Sequence, residues 1–434
     1  MILLTFISQA QTEMARIAVD TRKANGIYEK HNNLGIHCFY INLTDKYLFV
    51  VTDSTFNEIF SKEGNFYSGI KPDFVGCIAT DSTFVFFFNR VAENDLMVLT
   101  VNCALHKVTV IKSFKPFSSR DYKARKFINH KNRFIILTLS KKLDLFCLFE
   151  IKHVGNIEKH IMAPPDAKLL DYVEKGLFES YGLEEDKINV LVYYYSLGER
   201  VTNYHEIQFD LANDKCKALK LSLDAIDINP NHLFRYSRLT GTTFDTCIMI
   251  SSFHMEKKKQ VQLLVFSLNT GIPLFNGNFN IQDLVDSNAI RGANLDFRKL
   301  ISGPLDSNSF GNYPQYPLYI SVFDKTEDTI KLRFMYSIPL YDSTEPSGKY
   351  LLFSMNLSKD DFHVFPDNRD NLQQFNEKLT YAGSKSFHLN LLEYPIVEYN
   401  NMQLFTDNHQ RNYFCTIDKK QHELVIEWLN FEVE

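Results

Sequence analysis

The sequence predicts an all-β protein assembled from repeated short antiparallel units, and three observations carry that prediction. One unit recurs along the chain: an apolar run, a charged turn, a second apolar run, a short turn and a weaker third run. The 434 residues include 37 Phe and 22 Tyr, side chains that suit the pleated surface of a strand. Helical spacing of apolar residues is confined to short stretches between the units.

The unit is clearest in residues 246–280. The runs at 247–250 and 261–266 have strand length, and Glu256, Lys257, Lys258 and Lys259 between them read as a solvated hairpin tip. Asn269 and Gly271 then supply the positive φ of a reversal, and the mixed run from 272 to 279 suits an outer strand. Earlier copies use runs at 38–41, 47–51 and 56–60; at 83–88, 96–101 and 107–111; at 134–139, 145–151 and 160–162; and at 190–195, 204–211 and 217–221. A sixth is expected at 330–338, 350–355 and 362–365 around a tip at 342–348, with another strand at 318–323 just before it. The last takes 413–417 and 424–433 around 418–421, which makes about seven copies.

Two connecting stretches carry helical spacing. In 166–181 Leu169, Val173, Leu177 and Tyr181 align, with Gly182 as a cap, and in 370–379 Leu372, Phe375 and Leu379 do the same. Pro304, Pro314 and Pro317 make 302–317 a loop. The final strand is apolar on both faces, so it needs covering, and residues 16–19 are expected to complete its sheet.

Consecutive antiparallel units recurring at some tens of residues resemble the β-propeller superfold over nearly the whole chain. The resemblance is to an architecture: the Gly-His and Trp-Asp pairs of WD40 blades and the double glycine of kelch repeats do not recur, and Trp428 stands alone. It implies an all-β propeller of about seven blades with short helical insertions, occupying residues 15–434 as a single domain. The alternative is a pair of β-sandwich domains breaking near 166–186.

Composition narrows the rest. With 45% hydrophobic and 23% charged residues the chain can bury a large core. A net charge of -5 argues against a general nucleic-acid-binding surface, so no nucleic-acid partner is expected. No apolar run is long enough to span a bilayer, which predicts a soluble protein. Cys38, Cys77, Cys103, Cys147, Cys216, Cys247 and Cys415 are irregularly spaced within apolar runs, which predicts small core residues in a reducing, cytoplasmic compartment. Secretion is the alternative: residues 2–7 are apolar, Ser8-Gln9-Ala10 has the small-x-small form of a cleavage site, and sequons begin at Asn42 and Asn356. Residues 1–14 are accordingly read as a remnant signal or a disordered segment.

The search for chemistry is mostly negative. The sequence has no P-loop, no G-x-G-x-x-G, no G-x-S-x-G and no C-x-x-C. His422-Glu423 begins like a zinc-protease helix, but Ile426 stands where a second His is required. Asp224, Asp227 and Asn229 lack the spacing of a calcium loop and read as a polar transition before Pro230, while Asp367, Arg369 and Asp370 read as helix-capping residues. His153 and His160 flank a turn and, without a third ligand, read as exposed polar residues; no metal and no cofactor is expected.

One feature gathers across copies. Lys141, Lys142, Arg200, Lys257, Lys258, Lys259, Lys419 and Lys420 all sit at the charged hairpin tips between the first and second runs of a unit. In a ring such tips project from one face, where they form a candidate binding surface for an acidic partner; solvation of the tips is the competing explanation. The function expected on these grounds is a non-enzymatic scaffold holding a partner polypeptide on one face or at the central channel. The alternative is a hydrolase of glycosidase or esterase type with acid and base groups drawn from several blades.

Overall fold

A computed structural model describes residues 14–429 apart from 195–202, 222–239, 255–259, 281–317, 366–401 and several shorter connecting stretches. Among the described residues the strands form seven four-stranded antiparallel sheets. Strand β1 (Met14–Ala18) belongs to the last of these. The first sheet is β2 (Gly26–His31), β3 (His37–Asn42), β4 (Lys46–Thr52) and β5 (Glu58–Asn65). The second is β6 (Asp73–Ala79), β7 (Thr83–Asn89), β8 (Leu96–Asn102) and β9 (Lys107–Phe114). The third is β10 (Tyr122–His130), β11 (Arg133–Ser140), β12 (Phe146–His153) and β13 (Asn156–Met162). Helix α1 (Lys168–Lys175) leads to the fourth, β14 (Leu177–Glu184), β15 (Lys187–Tyr194), β16 (Asn203–Asp210) and β17 (Lys215–Lys220).

The fifth sheet is β18 (Thr240–Phe244), β19 (Cys247–His254), β20 (Gln260–Ser267) and β21 (Pro273–Asn280). The sixth is β22 (Leu318–Lys325), β23 (Thr329–Asp342), β24 (Glu345–Ser358) and β25 (Val364–Phe365), and the seventh joins β26 (Met402–Thr406), β27 (Asn412–Asp418) and β28 (Glu423–Leu429) to β1. Strand order follows chain order in each sheet except the seventh, and the first strands β26, β2, β6, β10, β14, β18 and β22 adjoin in that succession. The chain is therefore a β-propeller rather than two sandwiches, and residues 166–186 carry α1 and β14 straight into the next sheet instead of separating domains. Strand β1 pairs with β28 from Met14↔Glu427 to Ala18↔Glu423, as expected of residues 16–19.

Burial explains why the middle strands read as continuous apolar runs. A sheet covered by neighbours on both sides buries both of its faces, and β3 and β7 are almost wholly buried while β5 is largely exposed. In β7 Phe86 and Phe88 pack with Tyr40 and Phe49 of the first sheet, whereas Phe87 turns the other way and stacks on Phe134 of the third, centroids 4.3 Å apart. The aromatic triplet is core, as its strand alternation implies. None of the seven cysteines forms a disulfide; Cys38, Cys77, Cys103, Cys147 and Cys415 are buried and Cys216 and Cys247 partly so. The mixed run after Gly271 is the outer strand β21, and Gly271 has φ 69°.

Several expectations are corrected. The sheets have a first strand that the three-run unit omits, and in β6, β10, β14 and β22 a bulge interrupts its pairing with the second strand, at Phe74/Gly76, Ala124/Lys126, Ser180/Gly182 and Val322/Asp324. Only Lys168–Lys175 of the expected 166–181 helix is helical; Leu177 and Tyr181 lie in β14 and Gly182 sits at its bulge instead of capping a helix. The sixth-sheet tip is shorter than 342–348, because β24 already begins at Glu345 and pairs with Asp342. Asn42 is buried within β3, which removes it as a glycosylation acceptor in the folded chain. The expected helix at 370–379, the loop at 302–317 and the polar residues Asp224, Asp227, Asn229, Asp367, Arg369 and Asp370 lie outside the described residues.

Five of the turns between third and fourth strands share a device that joins one sheet to the one before it; Gly155 in the third sheet has positive φ without such a contact. Phe56, His106, Asp214, Gly271 and Phe362 all have positive φ there. Each reaches the preceding sheet: Phe56 packs on Tyr413 at 4.8 Å, His106 on Phe60 at 4.9 Å and Phe362 on Phe275 at 5.5 Å, while Asp214 bonds His160. At Gly271 the contact is so close that a Cβ would lie 2.7 Å from the Lys220 carbonyl oxygen, which excludes any side chain.

Candidate functional site

In a four-stranded meander the first and third turns lie at one end of the sheet and the second turn at the other, so the propeller has two unlike faces. The face of first and third turns is built from short, hydrogen-bonded loops. Three of them repeat one geometry, in which a side-chain oxygen accepts the backbone N–H groups two and four residues on: Asn32 from Leu34 and Ile36, Asp53 from Thr55 and Asn57, Asp407 from His409 and Arg411. The loops are also stitched together. Asn408 donates to the Asn32 carbonyl at 2.8 Å, and Asn32 donates to the Asp81 carbonyl at 2.8 Å, linking the seventh, first and second sheets. This face exposes Leu34 and Leu105, at 64% and 71%, together with the acidic Asp81, Asp328, Asp360 and Asp361.

The opposite face carries the second turns, of which the β11–β12 turn is basic. Lys141 and Lys142 lie at the β11–β12 turn, but each is turned back on its own sheet's lead-in: Lys141 Nζ donates to the Ser119 carbonyl at 2.8 Å and Lys142 Nζ to Asp121 at 2.6 Å. Lys142 holds the Asp121 carboxyl below its ordinary range. Arg200, Lys257, Lys258, Lys259, Lys419 and Lys420 fall outside the described residues.

Two buried clusters of ionisable groups lie within and between sheets, and neither was assembled from the sequence. In the first, Glu29 on β2 accepts at one oxygen from Nδ1 of His37 at 2.7 Å and Nδ1 of His31 at 3.2 Å. Burial pushes the Glu29 carboxyl up, but the two imidazoles outweigh it and hold it at about 2. Burial likewise lowers His31, and Glu29 overcomes it to leave the imidazole above its ordinary value. His37 is enclosed by Phe39, Phe56 and Phe405. A buried charge thus has its counter-charge in place, as a stable interior requires.

The second cluster joins the third sheet to the fourth. Arg133 makes two bonds to the Glu150 carboxylate, at 2.6 and 2.8 Å, and a third to Asp186 at 3.1 Å. His160 Nδ1 donates to Asp214 at 2.8 Å, and its Nε2 faces Glu150 Oε2 at 3.8 Å. His153 and His160 do not meet across the hairpin: His153 pairs with Asn156 and His160 with Leu148. His160 is buried, contrary to the exposed position read from the sequence. Glu29 with His31 and His37, and Glu150 with Glu158 and His160, are the two groups of the described residues whose ligand atoms lie within 4.8 Å of one another.

A third buried acid stands apart. Glu206 on β16 has one oxygen with no hydrogen-bond partner, and burial raises its carboxyl to about 7. Burial, with Glu206 beside it, pushes the Cys216 thiol up to about 12.

No protein-family model and no curated protein sequence matches the chain. Among solved structures it is similar to the β-propeller domain of the Trilobed protease from Pyrococcus furiosus, at 8% identity and TM-score 0.36 over 93% of this chain and 94% of that one. It is similar also to a subtype N11 neuraminidase-like protein of influenza A/flat-faced bat/Peru, at 8% identity and TM-score 0.35 over 78% and 89%. A prolyl endopeptidase gives 10% identity and TM-score 0.35 over 94% of this chain but 45% of its own length.

Proposed function

We propose that the protein is a non-enzymatic interaction scaffold that holds a partner polypeptide against the face of first and third turns. The observation that carries this reading is the construction of that face: short turns locked to one another by Asn32 and Asn408, presenting exposed Leu34 and Leu105 among carboxylates. A rigid surface loses little conformational entropy on binding, exposed leucines supply apolar area, and carboxylates select a basic partner. A second candidate surface, for an acidic partner, is formed by the basic hairpin tips if they gather on one face as the repeated unit implies.

Affinity purification of the full chain from its native cell tests both. The variant Leu34→Ser, Leu105→Ser, Asp81→Lys, Asp360→Lys is expected to lose a basic partner that the variant Lys257→Glu, Lys258→Glu, Lys259→Glu retains. The reverse pattern would move the site to the basic tips, and unchanged partners in both variants would dispose of the scaffold reading. A hydrolase is the second reading, and the observation favouring it is Glu206, a buried carboxyl raised to about 7, the range of a general acid at neutral pH. Hydrolysis of model esters or glycosides that disappears in Glu206→Gln would establish it.

A further inference from the structure

We propose that Glu150, Glu158 and His160 bind a divalent transition-metal ion of the zinc class at the junction of the third and fourth sheets. His160 is the central residue of this junction. Its side chain is 7% exposed, its Nδ1 is committed to Asp214 at 2.8 Å, and its Nε2 is buried with no hydrogen-bond partner. With the proton on Nδ1, Nε2 directs a lone pair at Glu150 Oε2, 3.8 Å away and itself an acceptor. Glu150 Oε2 also accepts from Arg133 Nη2 at 2.8 Å, and its remaining lone pair facing that of Nε2 is unfavourable unless a proton or a metal cation lies between them.

The surroundings fit that cation. Zinc bonds to nitrogen and carboxylate oxygen are about 2.0–2.2 Å long, so an ion bridges a 3.8 Å gap in a bent arrangement. Glu158 supplies a third ligand atom within 4.8 Å of the others and, half exposed, opens the site to solvent. Asp214 stands in the place of the carboxylate that orients a metal-bound imidazole through its other nitrogen. Around His160 four carboxylates, Glu150, Glu158, Asp186 and Asp214, face two cations, Arg133 and Lys152, which leaves an excess of negative charge for a divalent ion to neutralise. Both carboxylates already accept two hydrogen bonds, Glu29 from two imidazoles and Glu150 from Arg133, but only the Glu150 cluster also holds a buried ring nitrogen without a partner among the described residues.

The test is titration of the full chain, stripped with chelator, using Zn²⁺ by calorimetry and Co²⁺ by visible absorption. One saturable site is expected, lost in His160→Gln and weakened at least about tenfold in Glu158→Gln, whose rim position spares the fold. Asp214→Asn, a positioning change, is expected to weaken binding about 10–100-fold. Absence of saturable binding by the unaltered chain overturns the proposal. So does binding that survives both His160→Gln and Glu158→Gln, or that disappears only with Glu29→Gln. A ring NMR signal for His160 that titrates as an imidazolium and ignores saturating Zn²⁺ overturns it without any substitution.

Discussion

Glu29 and Glu206 are both buried carboxyls, yet they answer to pH with opposite signs. Glu29 is held at about 2 by His31 and His37, below its ordinary 4.5, so its contribution is present above pH 4.5 and is lost as pH falls toward 2. Removing the charge strands two imidazole donors in the core. Glu29→Gln is expected to cost about 3 kcal/mol at pH 7 by thermal or denaturant melts, and the gap to the unaltered protein should narrow below pH 4. Glu206 is raised to about 7, so its neutral form is favoured and stability is lost as pH rises from 4.5 through 7. Glu206→Gln is therefore expected to melt higher than the unaltered chain at pH 8, with the advantage fading by pH 5; a constant offset across that range would contradict the assignment. Both effects act through side chains that no linear motif marks. Glu29, His31 and His37 meet because β2 and β3 form a hairpin with His31 opposite His37, a register that two histidines six residues apart do not announce.

At the scale of the element, the second and third strands were legible because a strand covered on both faces must be apolar throughout, as in Phe84 to Phe88, and the turn after it must be wet; the fourth followed as the mixed run beyond the next short turn. The first strands were harder to see. Tyr122–His130 reads YKARKFINH, with Lys123, Arg125 and Lys126 breaking the apolar run, and the bulge at Ala124/Lys126 shifts the alternation midway. The same shift made 177–184 look helical, since Leu177 and Tyr181 fall at helical spacing from Leu169 and Val173. Asp214 shows why the second cluster stayed hidden: it reaches His160 from a turn 54 residues away, through a left-handed residue whose direction only the folded hairpin fixes. That device yields a prediction at Gly271, where a Cβ would meet the Lys220 carbonyl at 2.7 Å with φ at 69°. Gly271→Ala is expected to destabilise by about 1–3 kcal/mol in denaturant melts and to loosen the fourth sheet against the fifth, seen as faster hydrogen exchange in β17.

For the whole molecule, the seventh sheet is the closure, and β1 supplies its outer strand. Ile17 is 5% exposed in the core shared by β1, β28, β3 and β4, and Arg16 pairs with Glu423 at 2.7 Å. Ile17→Asp buries an unpaired charge there and is expected to lower the melting midpoint and promote aggregation through the uncovered edge of β28, measured by calorimetry and light scattering. Arg16 and Glu423 are 407 positions apart, and that separation has a meaning in time as well as in space. A ribosome makes β1 before the six sheets that separate it in sequence from β28, so β1 must wait unpaired while all of them are made. The joining of β1 to β28 carries a very large contact order and is expected to be a slow and chaperone-dependent step.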